Sequence, residues 1–191
     1  MFEEPDIEAL SKAYDRLQSE PNPEVIKLLE DLANRGSLMS MIYIAWAYEK
    51  GNGVVADENQ VISWYRRAIN SGSDLATYYL GHFYLKRKDY IQAKEVFNIG
   101  ALKDYSPAMY CLGCMYLEGT GCEENQDEAL KLFKKASMQG HVFAKRSLAG
   151  MYLSGKYGLA NIVNGLFLFF SALKNSFIIQ MKDPDSDLLR A

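Results

Sequence analysis

Residues 112–121 read LGCMYLEGTG and residues 127–136 read DEALKLFKKA, and both segments show the apolar spacing of an α-helix. The apolar residues that recur at helical intervals, just before and within the two segments, are Ala108, Leu112, Met115 and Tyr116, then Ala129, Leu132, Phe133 and Ala136. Between them, Gly119-Thr120-Gly121 lets the backbone end one helix and turn. These residues therefore predict a pair of helices joined by a glycine-rich loop.

The same unit recurs along the chain with a period of 36 residues. Tyrosines mark its copies at Tyr48, Tyr84, Tyr116 and Tyr152, with intervals of 36, 32 and 36 residues. The four missing residues fall between Tyr84 and Ala93, where we expect a shortened surface loop. A period of this length is typical of stacked helix pairs. The chain is therefore predicted to be all-α, an α-solenoid of about five antiparallel helix pairs.

A small residue occupies one position in the first helix of each copy: Ala45, Gly81, Gly113 and Ala149. Two antiparallel helices can approach closely only where the side chain between them is small. We therefore expect Gly81 or Gly113 to face an alanine or a glycine of the second helix. A larger residue there would wedge the pair apart.

The register divides the chain into six predicted segments. They are an N-terminal helix pair from a degenerate repeat (1–36), a first repeat (37–73), a shorter repeat (74–106), two further repeats (107–141 and 142–177), and a C-terminal tail or capping helix (178–191). The terminal segments are expected to be atypical, because one face of each meets solvent.

Composition and charge exclude several classes of protein. Hydrophobic residues make up 49% of the chain, which is enough for a large core, and the net charge of -3 gives no basic surface for nucleic acid. The three cysteines are odd in number and lie in one repeat, so they do not indicate a disulfide framework. The acidic N-terminus lacks the apolar core of a secretory signal. We therefore predict a cytoplasmic protein with no cofactor, no metal site and no nucleic-acid partner.

An apolar stretch near the C-terminus runs from Gly158 to Phe170 and continues to Ile179. Because it is short and interrupted by polar residues, we predict a buried second helix and no integral membrane segment; a membrane-surface role is the alternative. Residues 166–170 are apolar on every side, so part of this helix needs a cover. The candidates are the tail from Ile178, a homodimer through this helix, and a further repeat.

Residues 112–121 and 127–136, followed by Gly140, resemble a Sel1-like repeat, and residues 44–54 with 64–68 and Gly72 resemble a second copy. The resemblance covers residues 37–177 closely and 5–36 loosely. The second unit has residues 86–90 (KRKDY) in place of the Gly-x-Gly loop and is similar to the shorter tetratricopeptide repeat, a related helix pair. The fourth unit has Gly155 and Gly158 instead. The resemblance implies a right-handed α-solenoid that acts as a non-catalytic adaptor or scaffold for other proteins.

The first helices of such arrays line a concave surface, and three positions on each are rotated away from the buried stripe. These positions are the predicted partner contacts: Ile42, Trp46, Glu49, Tyr78, His82, Leu85, Tyr110, Cys114, Leu117, Arg146 and Leu153. The set is rich in tyrosine, tryptophan and leucine, which predicts a groove for an apolar or amphipathic peptide of a partner protein. The alternative is that superhelix curvature buries this stripe as core.

Two other functions stay open at this point. Cys114 and His82 occupy equivalent positions in neighbouring repeats, so they could lie within about 10 Å of each other, given the usual spacing of packed helices, and form a small catalytic pair. An aromatic groove could instead bind a small molecule or a glycan, which would make the protein a regulator. The second histidine, His141, is predicted to lie in a turn between repeats.

Overall fold

The computed structural model describes residues 4–182, which contain ten α-helices and no strand. The helices are α1 (Ile7–Ser19), α2 (Pro23–Asn34), α3 (Leu38–Lys50), α4 (Glu58–Asn70), α5 (Asp74–Lys86), α6 (Tyr90–Leu102), α7 (Ser106–Glu118), α8 (Gln126–Met138), α9 (Val142–Leu153) and α10 (Leu159–Lys182). The predicted all-α fold of helix pairs is confirmed for the described residues. The predicted tail beyond residue 182 lies outside them, and α10 continues past the predicted boundary at 177.

The chain divides into two compact units, Met1–Leu80 and Gly81–Ala191, and the division falls inside α5. In the first unit, α2 packs against α1 and α3, and α3 packs against α4. In the second unit, α7 packs against α6 and α8, and α9 packs against α8 and α10. Packing between helices that follow each other in the chain is the pattern of helix-pair repeats.

The loops inside the helix pairs explain both the 36-residue period and its exception. Seven residues join α3 to α4 and α7 to α8, whereas three join α5 to α6. The two long loops begin with Gly51 and Gly119 in the left-handed conformation, at φ of 72° and 69°. In the short loop Lys88 adopts φ of 60°. The four-residue deletion is therefore confined to one loop, as the sequence predicted, and the helices around it keep their length.

The second glycine of each Gly-x-Gly loop touches the preceding second helix. A Cβ atom at Gly53 would lie 2.8 Å from the backbone nitrogen of Asn22, the residue that caps α2. A Cβ atom at Gly121 would lie 2.7 Å from the carbonyl oxygen of Tyr90, the first residue of α6. Both glycines also have positive φ, at 74° and 71°. The loop motif thus joins neighbouring helix pairs as well as turning the chain.

Gly81 and Gly113 of the first helices face aromatic rings, so the prediction that they face alanine or glycine is wrong. A Cβ atom at Gly81 would lie 2.3 Å from a ring carbon of Phe97, and one at Gly113 would lie 2.7 Å from a ring carbon of Phe133. Both rings are fully buried. The glycine is required because the ring of the second helix occupies the volume that a side chain on the first helix would fill.

The C-terminal apolar helix is exposed, so the prediction that it is buried is wrong. Only small residues such as Gly165 and Ala172 of α10 are buried, where the helix packs on α9, while Phe167 and Phe170 are 75% and 66% exposed. Its polar residues do not interrupt the helix, because asparagine and lysine are tolerated within one. The segment Leu159–Ile179 has a mean hydropathy of 1.6 and is long and apolar enough to cross a membrane by length and composition.

The glycine–phenylalanine contact leads to a test of stability. Replacing Gly113 with alanine should lower the free energy of unfolding by about 1–3 kcal/mol, because the new methyl group overlaps the Phe133 ring. The matched control is Gly150→Ala in α9, where an added Cβ atom would meet no other atom within 4 Å and alanine should raise stability by about 0.5–1 kcal/mol. Urea unfolding measures both.

The double variant Gly113→Ala/Phe133→Leu separates overlap from other effects of alanine. If the overlap with the ring is responsible, Gly113→Ala should lower the free energy of unfolding less in the Phe133→Leu background than in wild type, because leucine is smaller. Equal stability of Gly113→Ala and Gly150→Ala would contradict the assignment of the Phe133 ring to this space.

Candidate functional site

The first unit contains a cavity of about 400 Å³ lined by aromatic side chains from four helices. Its lining residues are Tyr14 and Gln18 from α1, Met39, Ile42, Tyr43 and Trp46 from α3, Tyr65 from α4 and Tyr79 from α5. The rings of Tyr14 and Tyr43 have centroids 4.7 Å apart, and those of Tyr65 and Tyr79 stack at 6.2 Å. These contacts hold the rings against each other and give the cavity walls of fixed shape.

The cavity of the first unit is neutral and mostly apolar. None of its eight lining side chains is a carboxylate or an amine. Burial raises the pKa of the Tyr65 hydroxyl, and burial together with the neighbouring Tyr14 and Tyr79 raises the pKa of Tyr43. Tyr43 and Tyr65 therefore stay protonated at neutral pH. They can offer hydroxyl groups to a ligand, and their rings provide the apolar contact area.

The second unit contains a cavity of about 540 Å³ of different chemistry. Its lining residues are Tyr110, Phe143, Arg146, Ser147, Gly150, Leu153 and Phe169. The guanidinium carbon of Arg146 lies 5.8 Å from the centroid of the Phe143 ring, which is within cation–π range. The lining thus combines a positive charge with an aromatic surface.

The two cavities use equivalent positions of the repeat. Five residues of the first cavity lie 104 positions before five residues of the second. The pairs are Met39 and Phe143, Ile42 and Arg146, Tyr43 and Ser147, Trp46 and Gly150, and Tyr65 and Phe169. The same part of the helix pair therefore forms a cavity in each unit, and the residues at shared positions decide what each cavity can bind.

Both cavities occur in helix pairs whose small residue is alanine. Tyr65 and Phe169 hold the register position of Phe97 and Phe133, the rings that lie against Gly81 and Gly113. In their own pairs the first helix carries Ala45 and Ala149, both fully buried. A ring cannot occupy the space of a methyl group that is present. Tyr65 lines the cavity of the first unit and Phe169 lines that of the second.

The predicted partner contacts fall into three groups. Ile42 and Trp46 line the cavity of the first unit, with Ile42 buried and Trp46 half-buried. Tyr110, Arg146 and Leu153 line the cavity of the second. The remaining predicted contacts are half-buried: Glu49, Tyr78, His82, Leu85, Cys114 and Leu117. Leu117 lines a further cavity of about 340 Å³ with Gln126 and Tyr157. A partner-binding role for all eleven stays a prediction.

Sequence reasoning missed several lining residues. Met39 and Tyr43 are seven and three residues before Trp46, on the same side of α3. Extending the predicted positions by one helical turn would have found them. Tyr14 belongs to the degenerate N-terminal pair, whose register the sequence defines only loosely, so no clear signal pointed to it.

His82 contacts Cys111, a neighbour that the sequence did not suggest, and its predicted pairing with Cys114 stays a prediction. The His82 Nε2 and Cys111 Sγ atoms are 3.6 Å apart, and the His82 ring packs edge-on against Phe97 at 5.6 Å. Burial raises the pKa of the Cys111 thiol. Burial, and then the nearby Lys86, lowers the pKa of His82. Both groups are therefore neutral at pH 7, whereas a nucleophilic pair needs a thiolate.

His141 lies in the turn between two helix pairs, as predicted, and caps α9. Its Nδ1 atom accepts a hydrogen bond from the backbone N–H of Ala144 at 3.1 Å. Ser37 and Ser73 cap α3 and α5 at equivalent positions of the repeat. His141 therefore caps the N-terminus of α9 as Ser37 and Ser73 cap α3 and α5. Within residues 4–182, no group of three His, Cys, Asp or Glu side chains is placed to hold a metal ion.

Comparisons with known proteins identify the repeat. The Sel1 repeat model matches residues 38–73 and 106–141. A Sel1-like repeat-containing protein of Acanthamoeba polyphaga mimivirus is 27% identical over 130 residues, which is 68% of this chain and 24% of that protein. An ERAD-associated E3 ubiquitin-protein ligase component of Arabidopsis thaliana, HRD3B, is 29% identical over 53% of this chain and 17% of its own length. This chain therefore spans less than a quarter of each of these two relatives.

A solved structure gives the same fold. The crystal structure of a protective antigen of uropathogenic Escherichia coli, which displays an SLR fold, aligns with a TM-score of 0.65 at 26% identity. The alignment covers 86% of this chain and 38% of the antigen. The predicted α-solenoid class is thereby confirmed.

The environment of Cys111 leads to a test of the catalytic alternative. In a Cys114→Ser/Cys122→Ser variant, native Cys111 should react with iodoacetamide at pH 7.5 far more slowly than in urea, because its thiol is buried and protonated. Intact mass measures the labelling rate. Fast native labelling, with a pH dependence that places the thiol pKa below 8, would contradict this account and favour a nucleophile.

Proposed function

The chain is a Sel1-like repeat protein, and from that premise we propose that it is a non-catalytic scaffold in the cytoplasm that binds a segment of a partner protein in the aromatic cavity of its first unit. The observation that carries the proposal is the cavity itself. Five aromatic rings, the Met39 and Ile42 side chains and Gln18 surround an open space of about 400 Å³.

The chemistry of the cavity favours an apolar anchor. Tyrosine and tryptophan are the residues that most often dominate binding energy in protein interfaces, and pockets lined by them accept large apolar side chains. Gln18 and the tyrosine hydroxyls supply hydrogen-bonding groups at the lining. We expect a partner segment that inserts an aromatic or branched aliphatic side chain, with polar backbone groups near Gln18 and the hydroxyls.

The cavity of the second unit suits a different part of a partner. Arg146 is exposed beside the Phe143 ring, and Gly150 leaves space where Trp46 stands in the equivalent position. A guanidinium group binds carboxylates through paired hydrogen bonds. We therefore propose that this cavity takes an acidic side chain or chain terminus next to an apolar residue.

The relatives support the scaffold role at a coarse level. HRD3B is by its name a component of a ubiquitin-protein ligase, and it shares this repeat with the present chain. The shared segment is a small part of that protein, so the ligase itself is not carried over. The half-buried His82 and the buried Cys111 are both neutral at pH 7 and give no nucleophile, which supports a non-catalytic role.

The two tryptophans of the chain provide a matched test. Trp46→Ala should weaken capture of the partner by roughly 30-fold or more, because a buried interface tryptophan commonly contributes at least about 2 kcal/mol. Trp64→Ala is the control: Trp64 is also half-buried in the first unit, but it lies on α4, where the Arg67 guanidinium covers its ring at 5.0 Å.

The measurement is quantitative affinity capture from source lysate with wild type and both variants, after circular dichroism has shown equal helix content. A protein retained by wild type and Trp64→Ala but lost with Trp46→Ala fits the proposal. Equal capture by Trp46→Ala and wild type would contradict a binding site in the first cavity.

A further inference from the structure

The outer face of α10 is apolar at three positions where α4 and α8 are polar. Val163, Phe167 and Phe170 are 68%, 75% and 66% exposed. Their register equivalents in α8, 36 residues earlier, are Asp127, Lys131 and Lys134, and those in α4 are Asn59, Ser63 and Arg66. An exposed apolar face of this kind normally marks an interaction surface.

A following helix pair would leave this face in solvent. In α8, which α9 covers, the equivalent residues Asp127, Lys131 and Lys134 are still exposed. Stacking of a further repeat on α10 would therefore cover a different side of the helix, the side of Leu166 and Leu173. The outer phenylalanines need another partner.

Lysines lie on this face and beside it. Lys174 is the one charged residue in the sequence from 159 to 179, and α10 contributes no carboxylate there. On the neighbouring α8, Lys134 lines a cavity together with Phe167, beside Met138, which is 88% exposed. The surface is thus a band of phenylalanine and aliphatic side chains with lysines within and beside it.

This combination fits an anionic lipid surface better than a second copy of the chain. A symmetric dimer through the outer face would bring a second Lys174 and no acidic residue of α10, so each lysine would lose water without gaining an ion pair. At a bilayer, the phenylalanines enter the boundary of the acyl chains. The lysines then extend to the phosphate groups.

We propose that the outer face of α10 docks the protein onto the surface of a bilayer that contains anionic lipids, with the helix lying in the plane of the membrane. The apolar face from Leu159 to Ile178 is about 30 Å long at the rise of an α-helix. The helix remains attached to α9, because Gly165 approaches Ala149, Tyr152 and Leu153 so closely that a Cβ atom would lie 3.1 Å from each. This packing favours an in-plane helix over a spanning one.

The test is flotation of the full chain with vesicles of phosphatidylcholine alone and of phosphatidylcholine mixed with phosphatidylglycerol. Wild type should float with the anionic vesicles and less with the neutral ones. Phe167→Ser/Phe170→Ser should weaken this binding by roughly 100-fold. Each phenylalanine side chain that moves from water into the bilayer raises the binding constant by about tenfold or more. The matched control is Ile91→Ser/Leu102→Ser on α6, whose side chains are 66% and 77% exposed.

A second variant keeps the proposal testable if the serine variant fails to fold. Lys174→Glu reverses the charge on an exposed position and should weaken binding to anionic vesicles by roughly tenfold, with little effect on neutral ones. Circular dichroism checks that each variant is folded. Absence of vesicle binding by wild type, or equal binding by all variants, would overturn the proposal.

Two further outcomes would also overturn it. If wild type is a dimer by light scattering, Phe167→Ser/Phe170→Ser is a monomer, and neither binds vesicles, then a second copy covers this face. If wild type resists extraction from vesicles by alkaline carbonate, α10 is inserted across the bilayer and does not lie on its surface.

Discussion

The contact between a glycine on the first helix and an aromatic ring on the second is the constraint on which each central helix pair depends. At Gly81 and Gly113 the rings of Phe97 and Phe133 lie where a Cβ atom would be. The ring then fills the space between two helices and, at Phe133, forms part of a dry core with Met109, Leu148 and their neighbours.

The two aromatic cavities each include the ring that holds the register position of Phe97 and Phe133. Where alanine replaces glycine, at Ala45 and Ala149, the ring of the second helix lines a cavity. The two cavities therefore share their place in the repeat and differ in chemistry, because Trp46 and Ile42 in one correspond to Gly150 and Arg146 in the other.

Much of the fold could be predicted from the sequence because the pattern repeats. The period placed the helix pairs, and the four-residue interval change placed the short loop around Lys88. The rings that pack against Gly81 and Gly113 were not predictable. Periodicity shows which face of a helix is buried, but it does not show which side chain of the other helix contacts a given position. The exposure of Phe167 and Phe170 was missed for a related reason: hydropathy reports that a residue is apolar, whereas burial depends on whether another element covers it.

The candidate site was predictable in part. Ile42, Trp46, Tyr110, Arg146 and Leu153 line the two cavities, but Tyr14 lies on a helix whose repeat register is weak in the sequence, so it was missed.

Photo-crosslinking tests the central claim most directly, with benzoyl-phenylalanine placed at Tyr43, inside the first cavity, or at Trp64, outside it. We predict an adduct with an apolar segment of one partner protein from position 43 and none from position 64. An adduct from position 64 alone, or equal adducts from both, would contradict a binding site in the first cavity.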